Sequence, residues 1–315
     1  MIESVVDSTL KPLSESILRT ILYYDIFNYP LKADEVYRFL PTNHASKHSV
    51  EQELKDLSSK GYLYQFGDLF CAQNKIELID RRRKGNAEAE KLLDVARVKG
   101  KFISGFPFVR GVLASGSLSK GYMDENSDLD FFIITKPGRL WVARMILVLY
   151  KRMFLFNSHK YFCVNYFVDS DHLEIEEKNM FTATELATVI PLCEADLYTR
   201  LFKSNDWLTF FFPNCEQRSL DAVVPASNSV VKKILEKVID IAGGSWWENY
   251  FMKLSLKRWE SIYKKQYANN DFKVAFKTKK YVSKNHPRNY QKKVIELYRE
   301  KMEGFSKKFN IVWKA

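Results

Sequence analysis

The strongest constraint on the fold lies in residues 111–135. An apolar run, Gly111-Val112-Leu113-Ala114-Ser115, ends in Gly116-Ser117. Ten residues, mostly polar, separate that pair from Asp128-Leu129-Asp130, and a second apolar run, Phe131-Phe132-Ile133-Ile134-Thr135, follows at once. Short apolar runs bounded by turn residues predict strands. Side chains two apart on a strand share a face, so Asp128 and Asp130 are expected side by side, a few ångströms apart. Two ionised carboxylates so placed repel each other, and such a pair calls for a cation. Oxygen-only ligands suit Mg²⁺ or Mn²⁺. Gly116 allows close backbone approach, and Ser117 with the N–H groups after it can cradle phosphate. An Asp-x-Asp alone is common on surface strands. Set between two apolar strands and behind a Gly-Ser turn, it is specific.

The arrangement strand, Gly-Ser, Asp-x-Asp, strand resembles the nucleotidyltransferase superfamily that includes DNA polymerase beta, CCA-adding enzymes, kanamycin nucleotidyltransferase and the small nucleotidyltransferase antitoxins. The matching part spans about residues 106–170. Tyr24-Asp25-Ile26-Phe27, Ile134-Thr135-Lys136-Pro137-Gly138-Arg139-Leu140-Trp141 and Pro191-Leu192 further resemble a group of bacterial nucleotidyltransferase-domain proteins of unassigned substrate. The resemblance implies that an acceptor hydroxyl attacks the α-phosphate of a nucleoside triphosphate, with ATP the commonest choice, and that pyrophosphate leaves. It places Asp128 and Asp130 on Mg²⁺ or Mn²⁺ and Gly116 and Ser117 on the β- and γ-phosphates. Lys120 and Ser127 join the nucleotide-binding set.

The superfamily pattern has a third carboxylate on a later strand. The corresponding run, Tyr161-Phe162-Cys163-Val164-Asn165-Tyr166-Phe167-Val168-Asp169, carries Asn165 at its one polar interior position. An amide offers a neutral oxygen but neither charge nor basicity. Asp169 shares the parity of Asn165 yet lies about 13 Å further along a strand, while Asp171 and Glu174 read as loop residues. Two functions therefore stay open: Mg²⁺-dependent transfer of a nucleoside monophosphate to a small molecule, a protein side chain or an RNA end, and nucleotide binding by a degenerate core that regulates through protein or nucleic-acid partners.

Around this motif the expected fold class is α+β. Residues 1–75 read as a winged helix-turn-helix, with apolar positions Leu13, Ile17, Leu18, Ile21 and Leu22 behind Ser14 as cap, helices near 33–40 and 47–60, and a hairpin turned at Gly67-Asp68. The resemblance implies that residues 76–205 are a mixed-sheet nucleotidyltransferase core with a leading helix over 76–99, in which Arg81-Arg82-Arg83-Lys84 reads as a solvated face. Residues 206–315 are expected as a basic helical domain, with an aromatic stripe from Trp246 to Tyr263, Ser245 as its cap, and a final helix near 289–307. His286 reads as a solvated side chain.

Charge sharpens the partner expectations. Residues 231–315 hold 21 Lys and Arg against 8 Asp and Glu, a net of +13, whereas the other 230 residues net −2. A basic tail of that size attracts polyanions such as RNA. The third helix, with Lys47, Lys55 and Lys60 against Glu51, Glu53 and Asp56, is neutral, so the winged helix suits packing or protein contact better than DNA. Four dispersed cysteines without a CxxC pair argue against a disulfide scaffold or zinc ribbon. The opening Met1-Ile2-Glu3-Ser4 lacks the form of a secretory signal, and the longest apolar run, Met145–Tyr150, is too short to span a bilayer. The expected location is the cytoplasm, away from membranes.

Overall fold

The computed structural model describes residues 10–42, 44–156, 158 and 160–313. In the first part of the chain α1 (Pro12–Asp25), β1 (Leu31–Lys32), α2 (Ala33–Arg38) and α3 (Lys47–Ser59) precede a hairpin of β2 (Tyr64–Phe66) and β3 (Leu69–Cys71). β3 pairs antiparallel with β1 and β2. The helically spaced Ile17, Leu18, Ile21 and Leu22 are buried with Val50, Leu54 and Leu57 of α3. Ser14 does not cap α1. The helix opens at Pro12, whose missing N–H costs nothing in a first turn, and the Ser14 hydroxyl donates to Glu53 instead.

The long helix α4 (Glu77–Ser104) leads into β4 (Val109–Ser115), the single turn α5 (Gly116–Ser119), β5 (Asp130–Thr135), α6 (Leu140–Phe154) and β6 (Cys163–Asp169). Then follow α7 (Met180–Thr188), β7 (Ile190–Cys193), α8 (Ala195–Lys203), α9 (Leu208–Phe211), α10 (Val230–Ile241), α11 (Gly244–Tyr263), α12 (Asn269–Ala275), β8 (Thr278–Lys279), β9 (Val282–Lys284) and α13 (Tyr290–Phe309). Among the described residues the main sheet runs β7-β4-β5-β6-β9-β8. β5 and β6 are parallel and every other neighbouring pair is antiparallel. The architecture is α+β with a mixed sheet.

The tail differs from the all-helical expectation. Residues 206–315 supply β8 and β9, which extend the sheet beyond β6. These strands are two and three residues long and lie among lysines, so they carry no alternating apolar signal. Lys277 and Lys284 are nevertheless buried, and Lys277 is paired with Glu176 and Glu177 at 2.8 and 2.7 Å. α13 returns to α1, where Tyr298 meets Tyr23 edge-on and Lys301 pairs with Asp25 at 2.5 Å. One buried cluster accordingly runs from Leu18 through Leu113 and Ile134 to Val294 and Met302.

The basic run on α4 also departs from a solvated face. Arg82 is 5% exposed and forks onto Glu35 at 2.8 and 2.9 Å, while Arg81 donates to the Phe27 and Asn28 carbonyls. Four consecutive residues circle the helix, and these two fall on the side that meets the first unit. Two further placements matter for the site. Ser245 lies inside α11, which starts at Gly244, and Glu248 instead accepts from the first-turn N–H groups of Trp141 and Val142 (2.8 and 3.0 Å), capping α6 from another element. The aromatic stripe of α11 is split: Trp259 is buried, whereas Trp246 and Tyr250 are exposed. No disulfide joins the four cysteines, all of them buried. Among the described residues no helix is long and apolar enough to cross a membrane.

Candidate functional site

The register of the central strands brings the two halves of the motif together. β4 and β5 pair antiparallel with Ser115 opposite Asp130, so the Gly-Ser turn at the end of β4 lies beside the start of β5. Extended pairing begins before Asp130: Leu129 donates to the Lys160 carbonyl at 2.8 Å and accepts from the Cys163 N–H at 3.0 Å. Leu129 is buried in the core, and its neighbours Asp128 and Asp130 project the other way, into a cleft of about 1240 Å³. All seven residues selected from the sequence line this cleft: the Gly116-Ser117 turn, Lys120, Ser127, the Asp pair and Asn165.

Gly116 is required twice over. Its φ of +65° falls in the left-handed region, and the Asp130 carboxylate occupies the space a Cβ would need. The contact presses the Asp130 carboxylate against the backbone of the turn. Burial, reinforced by the charges of Asp128 and Glu185, pushes the Asp130 carboxyl up to about 6. A hydrogen bond with Cys163 and the Lys120 ammonium act in the opposite sense.

Asn165 occupies a β-bulge. Asp130 pairs with Cys163 and Phe131 with Val164, but Phe132 pairs with Tyr166, leaving Asn165 as the extra residue on β6. Its side chain reaches the site and donates from Nδ2 to Asp130 Oδ1 at 2.9 Å. Lys120 is held by the Gly116 carbonyl (3.1 Å) and by Glu185 (2.7 Å). The Ser127 hydroxyl is engaged locally, donating to Asp124 Oδ1 at 2.7 Å and accepting from the Asp124 N–H at 3.1 Å. That closed turn presents Asp128 to the cleft.

The other acidic candidates do not gather here. Asp169 ends β6 opposite Thr135, at the far end of the strand from Asp130, and accepts from Asp171 and His172 N–H groups at 3.1 and 3.0 Å. Glu174 pairs with Lys178 at 2.7 Å. Two carboxylates absent from the sequence argument do line the cleft: Glu185 on α7 and Glu177 before it. Neither sits in a motif, and only the packing of α7 over the end of the sheet reveals them. His286 is half-buried in the wall of the cleft rather than fully solvated. Burial, with the Lys284 ammonium adding to it, lowers its imidazole to about 3, so the ring is neutral at pH 7.

Among the described residues no group of three or more His, Cys, Asp or Glu side chains is disposed to hold a metal. The donor set is two carboxylates and an amide. That set fits Mg²⁺ arriving with a nucleotide, because Mg²⁺ is commonly held by one or two carboxylates plus substrate phosphates. It does not fit a resident metal caged by protein alone. Comparison with protein-family models, with curated proteins and with solved structures returned no match.

Proposed function

We propose that this protein binds a nucleoside triphosphate with Mg²⁺ in the cleft at the end of β4 and β5 and transfers the nucleoside monophosphate to an acceptor hydroxyl. The observation that carries the reading is the close packing of the Asp130 carboxylate on Gly116, which joins a phosphate-sized backbone turn to a carboxylate pair. A half-buried carboxyl pushed up to about 6 beside a second one disfavours its own ionised state, and a cation would relieve that cost.

Asp128 and Asp130 would hold the Mg²⁺, which in such sites neutralises phosphate charge and lowers the pKa of an attacking hydroxyl. The chain's own residues supply the rest. Gly116 and Ser117 present backbone N–H groups and a hydroxyl to the terminal phosphates. Lys120, fixed by Glu185, adds positive charge at the same turn. Ser127 positions the loop carrying Asp128, and Asn165 orients Asp130 through its amide. Glu185, paired with Lys120, and Glu177 are the other carboxylates that line the cleft.

Asn165 favours a second reading, nucleotide binding without turnover, because the amide cannot act as an anionic ligand or a base. The first unit, three helices and a hairpin, has the element order of a winged helix. On α3, Lys55 and Lys60 are each tied to an acidic neighbour one turn away (2.7 and 2.6 Å), which favours packing or protein contact over DNA. The assay that separates the readings is release of pyrophosphate from ATP and Mg²⁺, in wild type and Asn165→Asp, with a panel of hydroxyl acceptors. Turnover in either chain supports transfer. Tight Mg²⁺-dependent ATP binding with no turnover in both supports the sensing role.

A further inference from the structure

The same cleft contains a cation that the nucleotide reading does not use. Arg144, on α6, lines it and is only 6% exposed. Its guanidinium lies over the Trp259 ring at 4.7 Å and the Trp141 ring at 5.6 Å, and among the described residues its one hydrogen bond is long, from Nη1 to Ser255 Oγ at 3.3 Å. Among the described residues Nε has no hydrogen-bond partner. Among the described residues no carboxylate lies within ion-pair distance of it. A buried guanidinium normally forks onto an acid, as Arg82 does onto Glu35. Here burial, with Arg152 on the same helix adding to it, brings the Arg144 guanidinium down to about 10.

The place of Arg144 in the cleft is also informative. Lys151, further along α6, lines the same cleft as Arg144 and Asp128. The Gly116-Ser117 turn and Lys120 lie on the β4 side of Asp130. Arg144 lies on the other side of the pair, where α6 packs on α11 and where Arg152, Lys257 and Arg258 also reach the cleft. At about 1240 Å³ the cleft exceeds the ~300–1,000 Å³ typical of a pocket for one small ligand, so it has room for two substrates.

We infer that Arg144 anchors a phosphate group carried by the acceptor, in a subsite between α6 and α11 separate from the triphosphate turn. The assignment to an acceptor rests on the nucleotidyl-transfer reading above, whereas the anion site itself does not. A guanidinium's planar donors match two oxygens of a phosphate, and the two indole rings hold this one in place. Phosphate reaching the guanidinium from the cleft would offset the buried charge.

The test uses inorganic phosphate as probe, with wild type, Arg144→Met and Arg144→Lys, in a buffer free of phosphate. Methionine keeps the apolar stack between the tryptophans and removes a buried charge, so this variant is expected to fold; Arg144→Lys keeps the charge should it not. Wild type should bind phosphate by calorimetry and unfold at higher temperature with it. Arg144→Met should bind at least tenfold more weakly and lose the thermal shift, and Arg144→Lys should recover part of both. Phosphate should bind equally well when the protein is saturated with ATP and Mg²⁺, whose affinity changes less than threefold in Arg144→Met. Equal phosphate binding by wild type and Arg144→Met overturns the subsite. Competition between phosphate and ATP, with both weakened in Arg144→Met, places Arg144 in the triphosphate site and overturns the acceptor assignment. Loss of phosphate binding in Arg144→Met, with no nucleotide bound by any chain, upholds the anion site and removes the nucleotidyl-transfer reading instead.

Discussion

Replacing Asp130 with Asn tests whether the carboxylate pair is held at a cost. The substitution preserves size and keeps an oxygen able to accept from Asn165 Nδ2, so it removes charge with little change of shape. In the folded chain the Asp130 carboxyl sits at about 6 against an ordinary value of 3.8. A raised folded pKa means that the folded state binds the proton more tightly than the unfolded one between those values. Its contribution to stability is complete below about pH 4 and is lost as pH rises towards 6. Two pKa units correspond to about 3 kcal/mol, and partial solvent access to the cleft reduces that to about 2 kcal/mol at pH 7.5. Urea unfolding of wild type and Asp130→Asn at several pH values reads this directly. The variant should be more stable at pH 7.5 by about 2 kcal/mol, with the difference shrinking towards pH 4. Mg²⁺ should narrow the gap at pH 7.5 by stabilising wild type alone. A variant less stable than wild type at every pH would refute the idea that the site stores electrostatic strain.

Three other substitutions probe neighbouring parts of the account. Gly116→Ala forces a Cβ onto the Asp130 carboxylate at a positive φ, and should cost about 1–3 kcal/mol in urea unfolding together with nucleotide binding. Asn165→Asp places a third carboxylate within hydrogen-bond reach of Asp130, so it should tighten Mn²⁺ binding about tenfold or more by calorimetry and lower stability at pH 7.5 without metal; unchanged Mn²⁺ affinity would remove residue 165 from the metal environment. Glu248→Ala strips the cap from the α6 N-terminus and should cost about 1–2 kcal/mol in thermal or urea unfolding, and because burial raises the Glu248 carboxyl that cost should shrink as pH rises.

The parts of this architecture written in local patterns were legible from the sequence. The apolar runs of β4 and β5, the helical spacing of Ile17 to Leu22 and the turn at Gly67 each carry their own signal, and each element formed within a few residues of its expected bounds. The parts created by long-range packing were not. β8 and β9 are too short to show alternation, and their buried lysines depend on Glu176 and Glu177 a hundred residues earlier. Arg82 looks like any other member of a basic run until Glu35 is placed beside it. The same holds at the site. Gly116, Asp128 and Asp130 stand in a motif, whereas Glu185 and Arg144 enter the cleft only because α7 and α6 pack where they do.

The central claim is that Asp128 and Asp130 bind a nucleoside triphosphate through Mg²⁺. Calorimetric titration of each of the four nucleoside triphosphates, with and without Mg²⁺, into wild type and the Asp128→Ala/Asp130→Ala double variant tests it most directly. The expected result is Mg²⁺-dependent binding of at least one nucleotide by wild type and its loss in the double variant. Failure of all four to bind wild type, or binding that survives in the double variant, would contradict the claim.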